Sequence, residues 1–296
     1  MKIATYAPIC LFTYNRLEET KRTIDALQNN FLAAKSELYI FSDGYKKEMD
    51  KEKIEAVRNY IKTITGFKKL TIFESPINKG LANSIIDGVS QVINIYGKVI
   101  VLEDDLITSP NFLNFMNEAL NFYKDNNKVF SISGYTMNLP SLDLTNKDFY
   151  LGYRASSWGW ATWDRSWSNI DWEIKDFMEF KTNISARLKF NRGGSDMVRM
   201  LKGQMKGEID SWAIRWCYNQ FKRNQYTIYP VKSKVTSIGF GANATHTIAT
   251  KRFDNSIDTE LKTDFLFENQ LIEDKNLIKE FKNKFSILNR LKDKLL

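Results

Sequence analysis

Apolar and polar residues come in blocks along the first 135 positions, and the blocks alternate between two periods. Short runs at residues 9–13, 38–41, 70–73, 98–102 and 129–133 read as strands, and the four apolar residues Val99-Ile-Val-Leu102 in a row suit a strand covered on both faces. Between them, apolar residues recur every three or four positions. Leu17, Ile24, Leu27 and Phe31 form one such series; Ile54, Val57, Ile61 and Ile64 a second; Leu81, Ile85, Val89, Val92 and Ile93 a third; a fourth runs from about Asn111 to Tyr123. Each series predicts a helix, and strand alternating with helix predicts an α/β chain with a parallel sheet wound by right-handed crossovers.

After Gly134 the pattern changes. Aromatic residues crowd between Tyr150 and Trp172, and Trp158, Trp160 and Trp163 do not share one face of a strand or a helix. Most of them are expected to fill core, with at least one offering a flat face to a sugar ring. Asp210 and Ser211 stand as cap residues before an apolar-periodic helix. Residues 230–237 read as one short strand, and the Gly-containing loop after it carries the only histidine, His246. From Asn276 onward, Leu277, Ile278, Phe281, Phe285, Leu288, Leu291 and Leu295 are spaced for a basic amphipathic helix. Its first half fits docking on the protein body, and its last turns fit an anionic membrane surface. This divides the chain into a body at 1–270, with halves at 1–135 and 136–270, and a tail at 271–296.

Charge changes the picture only once it is located. Residues 275–296 hold seven basic and two acidic side chains, so five of the eight net positive charges belong to the tail. The body lacks the basic and aromatic patterning of an RNA-binding sheet, which argues against nucleic acid as a partner. Two cysteines, Cys10 and Cys217, and a single histidine exclude a Cys/His zinc site and fit a reducing compartment. Neither a secretory signal nor an 18-residue apolar run is evident, so the expected location is cytoplasmic, peripheral at the inner face of the cell membrane.

The chemistry-bearing residues fall just after strands. Thr13, Tyr14, Asn15 and Arg16 follow the first, Asp43 the second, Asn78-Lys79-Gly80 the third, and Glu103-Asp104-Asp105 the fourth. Parallel sheets bind ligands beyond the carboxyl ends of their strands. Three adjacent carboxylates there need solvent, basic partners or a metal cation.

Taken together, Pro8-Ile-Cys-Leu-Phe-Thr-Tyr-Asn-Arg16, Ser42-Asp-Gly44, Asn78-Lys-Gly-Leu81, Val101-Leu-Glu-Asp-Asp105, the Trp-Gly-Trp run at 158–160 and Glu208-Ile-Asp-Ser-Trp212 resemble the GT-A glycosyltransferases. The likeness is to family 2-like bacterial sugar transferases and the N-acetylglucosaminyltransferase I type, up to about His246. It implies a Rossmann-like fold with a mostly parallel central sheet flanked by helices, and a nucleotide-diphosphate-sugar donor. Thr13 to Arg16 and Asp43 would surround base and ribose, with Lys79 near the nucleotide. Glu103-Asp104-Asp105 takes the place of the Asp-X-Asp motif, Asp104 toward ribose or sugar and Asp105 on Mn2+ or Mg2+. Asp210 matches the general base, His246 a metal or diphosphate ligand, and Trp158, Gly159 and Trp160 the sugar and acceptor region.

The function so implied is inverting transfer of a sugar, UDP-linked by preference, to a glycan or lipid-linked acceptor in surface polysaccharide synthesis. The alternatives are a sugar-phosphate nucleotidyltransferase, disfavoured because Thr13 to Arg16 is not a Gly-rich triphosphate loop, and a non-catalytic membrane- or nucleic-acid-binding protein.

Overall fold

The computed structural model describes residues 6–239 and 251–292. Strand and helix alternate as β1 (Ile9–Thr13), α1 (Leu17–Gln28), β2 (Glu37–Ser42), α2 (Lys51–Ile61), β3 (Lys69–Glu74), α3 (Leu81–Tyr96) and β4 (Lys98–Glu103). A short β5 (Leu106–Thr108), α4 (Phe112–Phe122) and β6 (Val129–Ser133) complete this half. The second half adds β7 (Phe149–Gly152), β8 (Trp160–Trp163), α5 (Asp164–Trp167), α6 (Phe177–Thr182), α7 (Ile184–Phe190), α8 (Met197–Met205) and α9 (Trp212–Lys222). It closes with β9 (Tyr226–Pro230), β10 (Val235–Ser237), α10 (Lys275–Lys284) and α11 (Ile287–Lys292).

Among the described residues eight strands form one sheet in the order β3-β2-β1-β4-β8-β6-β9-β7, and β5 pairs with β10 in a separate ribbon. The pairings β3-β2, β2-β1, β1-β4 and β6-β9 are parallel; β8 lies antiparallel between β4 and β6, and β7 antiparallel at the far edge. Six strands therefore run one way, the mostly parallel sheet expected of a GT-A fold. The unbroken apolar runs have a simple cause. Ile9, Leu11, Ile100 and Leu102 enter the core under α1, α2 and α4. Cys10, Phe12, Val99 and Val101 point to the opposite face, into a second core with α3, α8 and α9. Alternation still operates in β1 and β4, but both of its phases are apolar because both faces are covered.

Three local expectations are corrected. Residues 230–237 are not one strand. The chain leaves the main sheet at Pro230, bends, and rejoins β5 as β10, with Asp258 N–H bonded to Ser233 O at 2.7 Å and Lys234 N–H to Gly134 O at 2.7 Å across the bend. The tail is two helices broken at Phe285 and Ser286, where the Phe285 N–H turns back to Lys282 O at 3.1 Å. The first of them packs on the body: Leu277, Phe281 and Phe285 cluster with Met137, Leu139, Leu142, Tyr150 and Tyr229. Finally, the Trp-rich run contains a strand, so Trp160 and Trp163 are sheet residues rather than loop residues.

Candidate functional site

The sheet register puts the post-strand turns side by side. Thr13 pairs with Ser42 and Phe12 with Glu103, so β1, β2 and β4 end on one edge with Tyr14, Asp43 and Asp104 just beyond it. The turn after β1 places the Arg16 guanidinium across two of the three carboxylates. Its Nη1 donates to Asp105 Oδ2 at 3.1 Å and its Nη2 to Asp104 Oδ1. The Tyr14 N–H donates to Asp104 Oδ2 at 3.2 Å, and the Thr23 hydroxyl donates to the Asp104 carbonyl at 2.9 Å.

Asp104 is thereby a buried anchor, 3% exposed, with both carboxylate oxygens bonded by its own chain. Asp105 remains 18% exposed at its side chain, and among the described residues nothing donates to its Oδ1. Burial raises the Asp104 carboxyl to about 6, against the pull of Arg16. Glu103 is pushed up to about 8 by burial and then by the charges of Asp105 and Asp104. Burial alone would lower Arg16, yet the two aspartates hold it above its ordinary value. Two aspartates thus share one guanidinium, with the Glu103 carboxyl beside them, and among the described residues this leaves a deficit of positive charge at the open end of a parallel sheet.

Such a donor set suits a hard divalent ion. Among the described residues no three Asp, Glu, His or Cys side chains converge as a ready cation cage. An ion here could be held by Asp105, with water and a bound ligand supplying its other oxygens. A glycine guards the approach. The Ile238 N–H bonds the Asp105 carbonyl at 2.9 Å, and a Cβ on Gly239 would stand 2.0 Å from Asp105 Oδ2.

Asp43, Asn78 and Lys79 make a second cluster on the same edge. The Asp43 carboxylate accepts the N–H groups of Gly44 and Lys79 at 2.9 Å and of Gly80 at 3.0 Å, and Asn78 Nδ2 at 3.1 Å. It fixes the loop that opens α3, while the Lys79 ammonium turns to Asp87 at 2.9 Å. Asp50, which no sequence pattern marked, accepts from the Tyr14 hydroxyl at 3.2 Å and Asn15 Nδ2 at 3.1 Å. The Thr13 hydroxyl is buried without a partner among the described residues.

The aromatic run divides. Trp160 is fully buried, its ring centroid 4.3 Å from that of Trp216 and close to those of Trp167 and Trp212. It is core, because β8 turns it onto the inner face beneath α9, and its expected place at a sugar is corrected. Gly159 is a backbone device: its φ is +57°, and a Cβ there would sit 2.6 Å from Val235 Cγ2. Trp158 is half-buried between Tyr135 and Phe253, at centroid distances of 4.7 and 5.7 Å. The cap of α9 is Ser211, whose Oγ accepts the Ile214 N–H at 3.3 Å. Asp210, one residue earlier, is left 67% exposed with Arg215 Nη2 at 3.5 Å. It bonds none of the Asp104 cluster, and His246 lies outside the described residues.

Because β6 and β9 run parallel to β4, their carboxyl ends open on this same side of the sheet. A crevice of 630 Å3 lies there, between residues 136–143, 231–233 and 256–260. Among the described residues no helix is long and apolar enough to cross a membrane.

No curated protein sequence matches the chain. Among solved structures it is similar to a mannosyltransferase, PcManGT from Pyrobaculum calidifontis in complex with GDP-Man and Mn2+, at 14% identity over 54% of this chain and a TM-score of 0.36. The alignment spans 46% of that protein, so this chain matches about half of its length. It is also similar to S. aureus TarS, at 13% identity over 45% of this chain and 22% of TarS, TM-score 0.31. The galactosyltransferase LgtC in complex with donor and acceptor sugar analogs aligns at 8% identity over 75% of this chain and 72% of its own, TM-score 0.36. Residues 9–194, which carry β1, the acidic edge and the aromatic run, match the family model described as Glycosyl transferase family 2, and the chain belongs to that family.

Proposed function

We propose that the protein is an inverting, metal-dependent glycosyltransferase that moves a sugar from a nucleotide-diphosphate donor, UDP-linked by preference, to a hydroxyl of a glycan or lipid-linked acceptor in surface polysaccharide synthesis at the inner face of the cell membrane. The observation that carries this reading is the charge deficit at the ends of β1 and β4, where Asp104 and Asp105 share a single guanidinium. The nucleotide lies over the ends of β1 and β2, bounded by Thr13 to Asn15 and the Asp43 loop. Arg16 and Asp105 meet the diphosphate. A bound Mn2+ or Mg2+ supplies neutralisation of the leaving diphosphate. The acceptor occupies the side of the sheet edge where β6 and β9 end, with Trp158 at its flank. Its hydroxyl oxygen attacks the anomeric carbon as the bond to the diphosphate breaks, and Asp210 takes the hydroxyl proton. Asp210 is 67% exposed, and its contribution as base comes from position.

The test is a panel of UDP-, GDP- and dTDP-sugars assayed for thermal stabilisation with Mn2+ or EDTA, since ligand that binds only the native state raises its melting temperature. One donor class should stabilise the parent only with metal, and Asp105→Asn should lose both that shift and transfer. Asp210→Asn should keep the shift and lose transfer by about 100-fold or more. Full transfer in EDTA, or by Asp210→Asn, overturns the corresponding role.

A further inference from the structure

Five exposed apolar side chains of the second half lie on helices that flank one junction, while Leu144, Ile209, Leu261, Leu266 and Ile272 lie elsewhere in the chain. Met178 on α6 and Ile184 and Leu188 on α7 are 67–68% exposed, and Ile287 and Leu288 on α11 are 64% and 73% exposed. α7 runs directly into residues 191–195, and the end of α10 rests on that same segment. The Ser195 hydroxyl donates to the Phe285 carbonyl at 2.5 Å, and the Arg154 guanidinium, bonded to Asp196, lies 4.2 Å from the centre of the Phe285 ring. α11 departs from there after Ser286, so α7 enters and α11 leaves one fixed point.

Charge around this point is mostly basic, although Arg192 is paired with Glu273 and Arg154 with Asp196. Residues 177–192 contain Lys181, Arg187, Lys189 and Arg192 against Glu179 alone, and residues 282–292 contain Lys282, Lys284, Arg290 and Lys292 with no acid. Lys181, Lys189 and Lys282 are exposed, and among the described residues none is paired with a carboxylate. By contrast, the apolar stripe of α10 is already spent on the body, where Leu277, Phe281 and Phe285 are 2–6% exposed. The basic tail therefore does not present its own hydrophobic stripe. What projects is a set of single aliphatic side chains on three short helices, separated by unpaired lysines. A folded partner calls for a continuous recess or ridge. Isolated aliphatic tips among cations suit the headgroup region of an acidic bilayer, where each tip enters alone and each ammonium meets a phosphate.

We propose that α6, α7 and α11 together form one face that seats this protein on an anionic lipid bilayer, with α10 as the strut that holds α11 in place. The test is co-sedimentation of the full chain with vesicles of phosphatidylcholine, with and without phosphatidylglycerol, at low and high salt. The full chain should pellet with the anionic vesicles only and be released by salt. Ile184→Ser with Leu188→Ser, Ile287→Ser with Leu288→Ser, and Lys181→Glu with Lys189→Glu should each weaken binding by about tenfold or more. Ile95→Ser, at an equally exposed aliphatic residue on α3, should bind as the parent does. All substituted side chains are exposed, and an unchanged melting temperature verifies folding. A parent that stays in solution, equal binding to neutral vesicles, or parental binding by the α7 pair overturns the proposal. The last result would assign any attachment to the tail alone. None of these readouts depends on sugar transfer.

Discussion

Gly239→Ala is the smallest change that addresses the acidic edge from outside it. The added Cβ would stand 2.0 Å from Asp105 Oδ2, 2.9 Å from its Cγ and 3.3 Å from Arg16 Nη1. Ordinary contacts of this kind lie at about 3.5 Å, so something must move by more than about 1 Å. The backbone is poorly placed to yield, because Ile238 N–H is bonded to the Asp105 carbonyl and Ser237 is in register with Leu106. The Asp105 carboxylate therefore moves, and Arg16 with it. A displacement of about 1 Å in a catalytic group costs about 100-fold in rate, or about 2.7 kcal/mol of transition-state stabilisation. The assay is steady-state release of nucleoside diphosphate over a Mn2+ titration, with metal affinity followed separately by electron paramagnetic resonance of free Mn2+. The expected result is a fall of about 100-fold in kcat/KM and weaker apparent Mn2+ binding. The melting temperature should scarcely change, since the residue lies in a half-buried turn. A Gly239→Ala enzyme with parental kcat/KM and parental Mn2+ affinity would refute the placement of Asp105 at the reacting diphosphate.

Two further predictions concern what holds the fold together. Lys234 and Asp258 form an ion pair only 4% and 2% exposed, which ties β10 to the segment at 256–260. Lys234→Met leaves Asp258 buried with Asn111 and the Glu260 N–H alone. It should cost about 3–5 kcal/mol, and adding Asp258→Leu should recover most of the loss, as measured by urea unfolding. Glu273 has its carboxyl raised by burial but held below the ordinary range overall by Tyr153, Tyr226 and Arg192. Its stabilisation is present above the unfolded value of about 4.3 and is lost as pH falls through the lower folded value. Glu273→Gln should therefore be less stable than the parent at neutral pH, and the gap should close on acidification. A gap that stays constant across that range would show that the carboxylate charge plays no part.

How far the sequence speaks depends on whether the determining interaction is local. The β-α alternation was readable because β1 and β4 are apolar on both faces and the segments between strands are apolar at helical spacing, both properties of a short stretch of consecutive residues. The placement of β8 between β4 and β6 was not, since four residues bearing two tryptophans carry no signal for partners 30 and 60 positions away. The same contrast runs through the site. Asp104, Asp105 and Arg16 fall on one edge, because the rule that strands end on one edge converts chain position into space, although their mutual ion pairs were not foreseen. The work of Asp43 escaped, because its carboxylate is consumed by backbone N–H groups 36 and 37 residues later. Asp50 escaped for the same reason, lying 36 residues from Tyr14 in a polar loop without period. Trp160 was misread because an aromatic run looks alike whether its rings face solvent or α9.

What the structure adds to the acidic edge is an argument from imbalance. A purely structural cluster would be expected to neutralise itself, since buried like charges raise one another's protonation and weaken the fold. Here one oxygen of Asp105 is left without a described donor while Asp104 beside it has every oxygen bonded. The described residues supply enough positive charge to fix the geometry and leave Asp105 Oδ1 without a donor, which is what an edge that binds a ligand would require.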